Sequence, residues 1–146
     1  MSTDDWHPPA TTILIVTGST LRAEDADRPL AYFVREQILN RSSTDDILLV
    51  HVVSDYRYLN DRKFAELPTI SVGGPGVNAL SQKWLECVPF ILIVEDEFFL
   101  QMDCNWPARS SVWGVDHETT RLAVSTFVDG HLDAFLSFCR QRNPQP

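Results

Sequence analysis

The sequence predicts an α/β fold of three layers, a mostly parallel five-stranded sheet with helices on both faces. Three observations carry this. The runs within "TTILIVTGS", "DDILLVHVVS" and "PFILIVED" are apolar without alternation, as in strands covered on both sides. Segments between them repeat their apolar residues at helical spacing. Strand-like and helix-like segments alternate along the chain, which is the order that crossover connections in a parallel sheet require.

Residues 1–10, "MSTDDWHPPA", are polar and proline-bearing and read as a loosely held lead, so residues 11–142 form the one domain. The first strand ends at Gly18. In "TLRAEDADRPLAYFVREQILN", Leu30, Phe33, Val34 and Ile38 share a helical face, with Asp27 as the N-cap and Pro29 in the first turn. "DDILLVHVVS" is the second strand, followed by a polar loop with a short helical stretch before Pro68, and "TISV" is the third. The helix after "GGPG" places Val77, Leu80 and Trp84 on one face. "PFILIVED" is the fourth strand and takes a buried position in the sheet. "EFFLQMD" is expected as a hairpin arm after it, turning at "EDE" and lying at an edge or projecting. "SSVWGV" is the fifth strand. A helix starts near Asp116 and breaks at Gly130 before "HLDAFLSFC", where Leu132, Phe135, Leu136 and Cys139 form the last apolar stripe. The order matches a doubly wound sheet of the flavodoxin-like or Rossmann-like kind.

The bulk properties narrow the function classes. At 146 residues, with 44% hydrophobic and 22% charged residues, the chain fits a single globular core. A net charge of −8 disfavours nucleic acid and anionic membrane surfaces as partners. No apolar run is long enough to span a bilayer, and the acidic start has neither a basic nor an apolar region of a signal peptide. Cys87, Cys104 and Cys139 are odd in number and widely spaced, which suits buried free thiols in a reducing compartment; a cytoplasmic location is expected.

A ligand in such a sheet binds at the carboxyl ends of the strands. The sequence delivers Thr17, Ser19, Thr20 and Arg22 there after the first strand, and Ser54, Asp55, Tyr56 and Arg57 after the second. The third strand brings Gly73, Gly74, Gly76 and Asn78, the fourth Glu95 and Asp96, and the last Asp116, His117 and Thr119. The stretch "TISVGGPGVNALSQKW" poses a choice. A glycine turn opening into a helix is physically a seat for a phosphate, yet it lacks the Walker Lys-Ser/Thr and is not G-x-G-x-x-G. A tight corner is the simpler reading, with Gly74 expected at positive φ or too close to a neighbour for a Cβ. Asp116 and His117 also carry two readings. His117 is a candidate general base with Asp55, Glu95 or Asp96 as partner, or Asp116 caps the helix and His117 is solvated. His7, His51 and His131 show no metal spacing, and Glu95, Asp96 and Asp103 have no fixed ligand pattern, so no metal is expected.

Three resemblances bear on function. "VTGSTLR" resembles the opening of NADPH-dependent FMN reductases and flavodoxin-like proteins, which implies Gly18, Ser19 and Arg22 around an FMN phosphate. Glu24, Asp25 and Asp27 follow at once and would repel that phosphate, so no cofactor is expected. Gly73, Gly74, Pro75, Val77, Asn78, Gly114 and Thr120 are similar to a module of archaeal surface-layer-type proteins, which implies that the glycine motif is a fold element. The whole chain resembles a small bacterial family of stand-alone α/β domains, with "VTGSTLRAED" and "GGPGVN" as its distinctive stretches; neither resemblance implies a catalytic activity.

No catalytic constellation is readable, so the leading expectation is a non-catalytic interaction or assembly protein. Apolar residues in the last third, "FFLQM", Trp106 and Trp113, point to a homo-oligomer burying residues 97–102. The alternative is a protein or enzyme that binds a nucleotide or phosphorylated metabolite in the strand-end crevice.

Overall fold

A computed structural model describes residues 10–140 of the chain, so most of the N-terminal lead, with His7, and residues 141–142 lie outside the described part. The element order is β1 (Ala10–Thr17), α1 (Leu21–Ala26), α2 (Arg28–Leu39), β2 (Ile47–Ser54), α3 (Asp55–Leu59), a 3-10 turn (Phe64–Glu66), β3 (Thr69–Val72) and α4 (Ala79–Trp84). Then come β4 (Phe90–Val94), β5 (Phe98–Asp103), β6 (Arg109–Gly114), α5 (His117–Gly130) and α6 (Leu132–Arg140). Among the described residues no helix is long and apolar enough to cross a membrane.

The six strands form one sheet in the order β2-β1-β3-β6-β5-β4. β2, β1, β3 and β6 run parallel, whereas β5 is antiparallel to β6 and β4 is antiparallel to β5. The expected five-stranded, mostly parallel sheet is therefore corrected to a mixed sheet of six strands. The reason lies in two short connections. Glu97 N–H donates to Val94 O at 2.8 Å, closing a two-residue hairpin at Glu95-Asp96, and no helix intervenes between β5 and β6. A connection that short can join only antiparallel neighbours.

The roles expected for "PFILIVED" and "EFFLQMD" are exchanged. β5 lies inside the sheet, with Phe98, Leu100, Gln101 and Met102 buried and Phe99 half-buried, so of residues 97–102 all but the exposed Glu97 pack on their own domain. β4 is the edge strand, and Phe90, Ile91 and Ile93 are exposed at 42%, 39% and 52%. An apolar run reports a preference for burial, but not whether a partner strand lies on its outer side.

Alternation sorts the side chains onto two faces. On one, Ile13, Ile15, Leu48, Val50, Ile70 and Val72 meet α2, α5 and α6 through residues such as Val34, Ile38, Phe127, Phe135 and Leu136. On the other, Leu14, Val16 and Val53 meet Tyr58, Leu80, Trp84 and Val88. Within α2 the buried stripe is Ala31, Val34 and Ile38, with Leu30 packed at its margin, while Phe33 is 41% exposed rather than buried as its spacing suggested. The break between α5 and α6 falls at Gly130 and His131, as expected from the glycine.

Asp27 does not cap α2. Its backbone is helical (φ −92°, ψ −31°), it continues α1 into α2, and its side chain makes no capping hydrogen bond. Of the thiols, Cys139 is buried, and burial pushes it up to about 12, but Cys87 and Cys104 are exposed, contrary to the expectation of buried cysteines.

Candidate functional site

The connections after β1, β3 and β6 converge at the carboxyl edge of the sheet. β1 leads through α1 and α2 to β2 on one side, and β3 returns to pair on the other side of β1. Such a reversal leaves a crevice between the outgoing loops. A cavity of about 350 Å³ opens there. Arg22, Ala23, Ala26 and Asp27 line it from the α1 side. The glycine turn contributes Gly74 to Val77, and the end of β6 with the start of α5 contributes Trp113 to His117 and Thr120.

Close backbone approaches shape this edge. At Gly18 a Cβ would lie 1.8 Å from Val77 O, so the turn after β1 sits against the glycine turn after β3. Gly73 has φ +112°, and a Cβ there would fall 2.6 Å from Asp27 Oδ2. Gly74 has neither feature: its nearest would-be contacts, Gly114 O and Trp113 Cε3, are both at 3.6 Å, an ordinary distance. The strained, space-making glycine is therefore Gly73, one residue before the expected one. Only glycine both tolerates that φ and leaves room for the carboxylate.

Several donors at this edge already have protein partners, while Arg22, Gly74 and Gly76 line the cavity itself. Asn78 Oδ1 accepts from the amides of Leu80 and Ser81, while its Nδ2 donates to Val16 O and Val72 O. Asp55 Oδ2 accepts from Ala79 N at 2.7 Å. Asp55 Oδ1 accepts from Tyr56 N and from the Ser19 hydroxyl. The amides of Val77 and Asn78 both donate to Gly74 O. Ser19, Asp55 and Asn78 thus pin the loops after β1, β2 and β3 to one another and lie outside the cavity lining.

At the start of α5, Asp116 Oδ1 accepts from Thr119 N at 2.8 Å, and Thr119 Oγ1 accepts from Asp116 N, a reciprocal capping box. The Thr119 amide and hydroxyl, both donating to Asp116 Oδ1, hold the Asp116 carboxyl below its ordinary range. His117 is exposed and faces the cavity beside it. Of the other expected site residues, Arg22, Gly74, Gly76, Asp116 and His117 meet in the cavity. Glu95 and Asp96 lie in the β4–β5 turn, outside that lining, with φ of 52° and 56°.

The cavity's most unusual group was not among the expected site residues. Asp27 is 5% exposed, lines the cavity, and accepts no hydrogen bond among the described residues. Burial raises its carboxyl above the ordinary 3.8, while His117 and Arg22 nearby act in the opposite direction. The signal for it was present: Asp27 falls on the helical stripe of Ala31, Val34 and Ile38, where a carboxylate has no packing reason to stand.

Trp113, also unforeseen here, forms part of the wall. Phe99 stacks on it with ring centroids 4.3 Å apart, and its Nε1 donates to Gln101 Oε1. Gln101, fully buried, donates in turn to the carbonyls of Trp84, Leu85 and Val88. A polar residue inside β5 therefore fixes both the end of α4 and the indole.

Among the described residues no group of three or more His, Cys, Asp and Glu side chains could hold a metal ion. Comparison with protein-family models, with curated proteins and with solved structures finds no match for this chain.

Proposed function

We propose that the protein binds a small organic molecule in the strand-end cavity, with Asp27 as the central contact. The observation that carries this reading is a carboxylate, 5% exposed, that lines a cavity of about 350 Å³ and has no hydrogen-bond partner among the described residues. A buried acceptor left unpaired costs roughly 1–3 kcal/mol, and a ligand that donates to it recovers that cost. The small polar set on largely apolar walls is the usual make-up of a ligand site. A phosphorylated ligand is less favoured, because the first-turn amides of α4 and α5 already bind Asn78, Asp55 and Asp116, and the Asp27 carboxylate would face the phosphate. The test is a thermal-shift screen of nucleotides, flavins, sugars, amino acids and amines, followed by amide NMR. A true ligand raises the midpoint and perturbs the amides of Gly74, Gly76, Val115 and His117. Binders that perturb only other regions would sink the proposal.

Assembly is the second reading, favoured by the exposed apolar residues of β4. An edge strand of five uncharged residues, with Phe90, Ile91 and Ile93 exposed, lacks the charges that ordinarily block strand pairing. A homo-oligomer would form through β4, not through residues 97–102. Light scattering at micromolar concentration tests it, and a monomer mass sinks it.

A further inference from the structure

At the carboxyl edge of the sheet the first-turn amides of the helices are largely paired, whereas the Thr17 hydroxyl and the Asp27 carboxylate have no hydrogen-bond partner among the described residues. Thr20 accepts from the first turn of α1 and Ser54 from that of α3. Asn78 and Asp55 serve α4, and Asp116 serves α5. An anion arriving here meets helix N-termini that already face protein oxygens, with three carboxylates beside them. Asp27 presents the opposite situation, an acceptor in want of a donor.

The ionisable groups lining the cavity are Arg22, Asp27, Asp116 and His117, so two carboxylates share it with one guanidinium and one imidazole. Arg22 is exposed and Asp27 is buried, which puts the negative charge on the inner side of the cavity and the positive charge toward solvent. Ala23, Ala26, Val77, Trp113 and Val115 supply apolar wall between them. The chain as a whole carries −8, a field that draws cations toward the surface.

Resting on the ligand-binding reading above, we propose that the ligand is a small organic cation: a protonated amine on an apolar body. Its ammonium donates to Asp27, and its body lies against Val77, Trp113 and Val115. A volume of about 350 Å³ is at the small end of ligand pockets and suits a body on the order of ten heavy atoms. The ammonium supplies the donor that Asp27 lacks and a positive charge against the two carboxylates of the lining. A buried carboxylate with a hydrogen-bonded cation is a stable arrangement, whereas the same carboxylate alone is not.

The test is calorimetry and thermal shift on the full chain with primary amines from butylamine to tryptamine. 2-Phenylethylamine is compared with 3-phenylpropionate and 2-phenylethanol, which keep the ring and change the charge. The amine alone is expected to bind, raising the midpoint by about 5–10 °C at a hundred times its dissociation constant. Asp27→Asn should weaken it about 10–100-fold. Arg22→Gln, which removes a like charge from the mouth, should tighten it by about threefold or more. If the alcohol or the acid binds as tightly as the amine, or Asp27→Asn leaves amine affinity unchanged, the amine assignment is overturned and the ligand site stands. If no amine binds but a neutral or anionic compound from the wider screen does so in the cavity, the outcome is the same. If nothing in either set binds there, both readings fall.

Discussion

Replacing Asp27 with asparagine should make the protein more stable, and by an amount that depends on pH. The side chain keeps its shape and its place beside Gly73 but loses its charge. Asp27 is 5% exposed and has no hydrogen-bond partner among the described residues, so its carboxylate is largely desolvated, with Arg22 and His117 nearby offsetting part of that cost. An unpaired buried group of this kind costs roughly 1–3 kcal/mol; the neutral amide, itself unpaired, should recover about 1–2 kcal/mol of that. At roughly 3 °C per kcal/mol for a chain of this length, the midpoint at pH 7 rises by about 3–6 °C. The sign with pH follows from linkage. Burial raises the folded carboxyl above 3.8, so the folded chain binds more protons than the unfolded one between those two values. Stability of the wild type therefore falls as pH rises through that window, and the asparagine variant has no such group. Paired thermal melts at pH 7 and pH 4 measure the difference between the two proteins, in which every other titrating group cancels. The advantage of the variant should shrink toward pH 4. A variant no more stable at pH 7, or an advantage equal at both pH values, would refute the assignment of Asp27 as an unpaired buried carboxylate.

Three further outcomes are expected. Gly73→Ala meets a φ of +112° and Asp27 Oδ2 together and should cost about 1–3 kcal/mol, whereas Gly74→Ala should cost under about 1 kcal/mol by urea denaturation; equal costs would contradict the geometry of the turn. Glu95 and Asp96 hold φ of 52° and 56° in the β4–β5 hairpin, so the double change Glu95→Asn, Asp96→Gly should add about 1–2 kcal/mol, read as a higher denaturant midpoint. Alkylation by iodoacetamide followed by mass spectrometry should mark Cys87 and Cys104 in the folded protein, with Cys139, whose buried thiol is pushed up to about 12, marked only after unfolding.

The parallel half of the sheet was legible in the sequence because each of its strands is followed by a helix with its own apolar period. β1, β2, β3 and α5 fall close to where "TTILIVTGS", "DDILLVHVVS", "TISV" and the stretch after Asp116 place them. The antiparallel half was not, since strand order there depends on pairings that local composition does not encode. β4 is more apolar than β5, yet it lies at the edge, while β5 carries Gln101 into the interior because the open carbonyls at the end of α4 require a donor. At the site, Arg22, Gly74, Gly76, Asp116 and His117 were legible as strand-end residues. Ser19, Asp55 and Asn78 were legible as polar groups at the same edge, but the bonds of Ser19 to Asp55, of Ala79 to Asp55 and of Asn78 to Val16 join segments distant in sequence. Asp27 was hidden within "AEDAD", where its neighbours Glu24 and Asp25 make it look like part of a solvated acidic face.

The Asp55 carboxylate has a consequence for how this edge moves. Its oxygens bind the Ser19 hydroxyl and the amides of Tyr56 and Ala79, which belong to the turns after three neighbouring strands. A turn that swings away alone would leave that buried anion short of a partner, so fluctuation of any one is penalised by its bonds to the other two. The connections after β1, β2 and β3 are therefore expected to open together, with the exchange of the Tyr56 and Ala79 amides governed by a shared opening event.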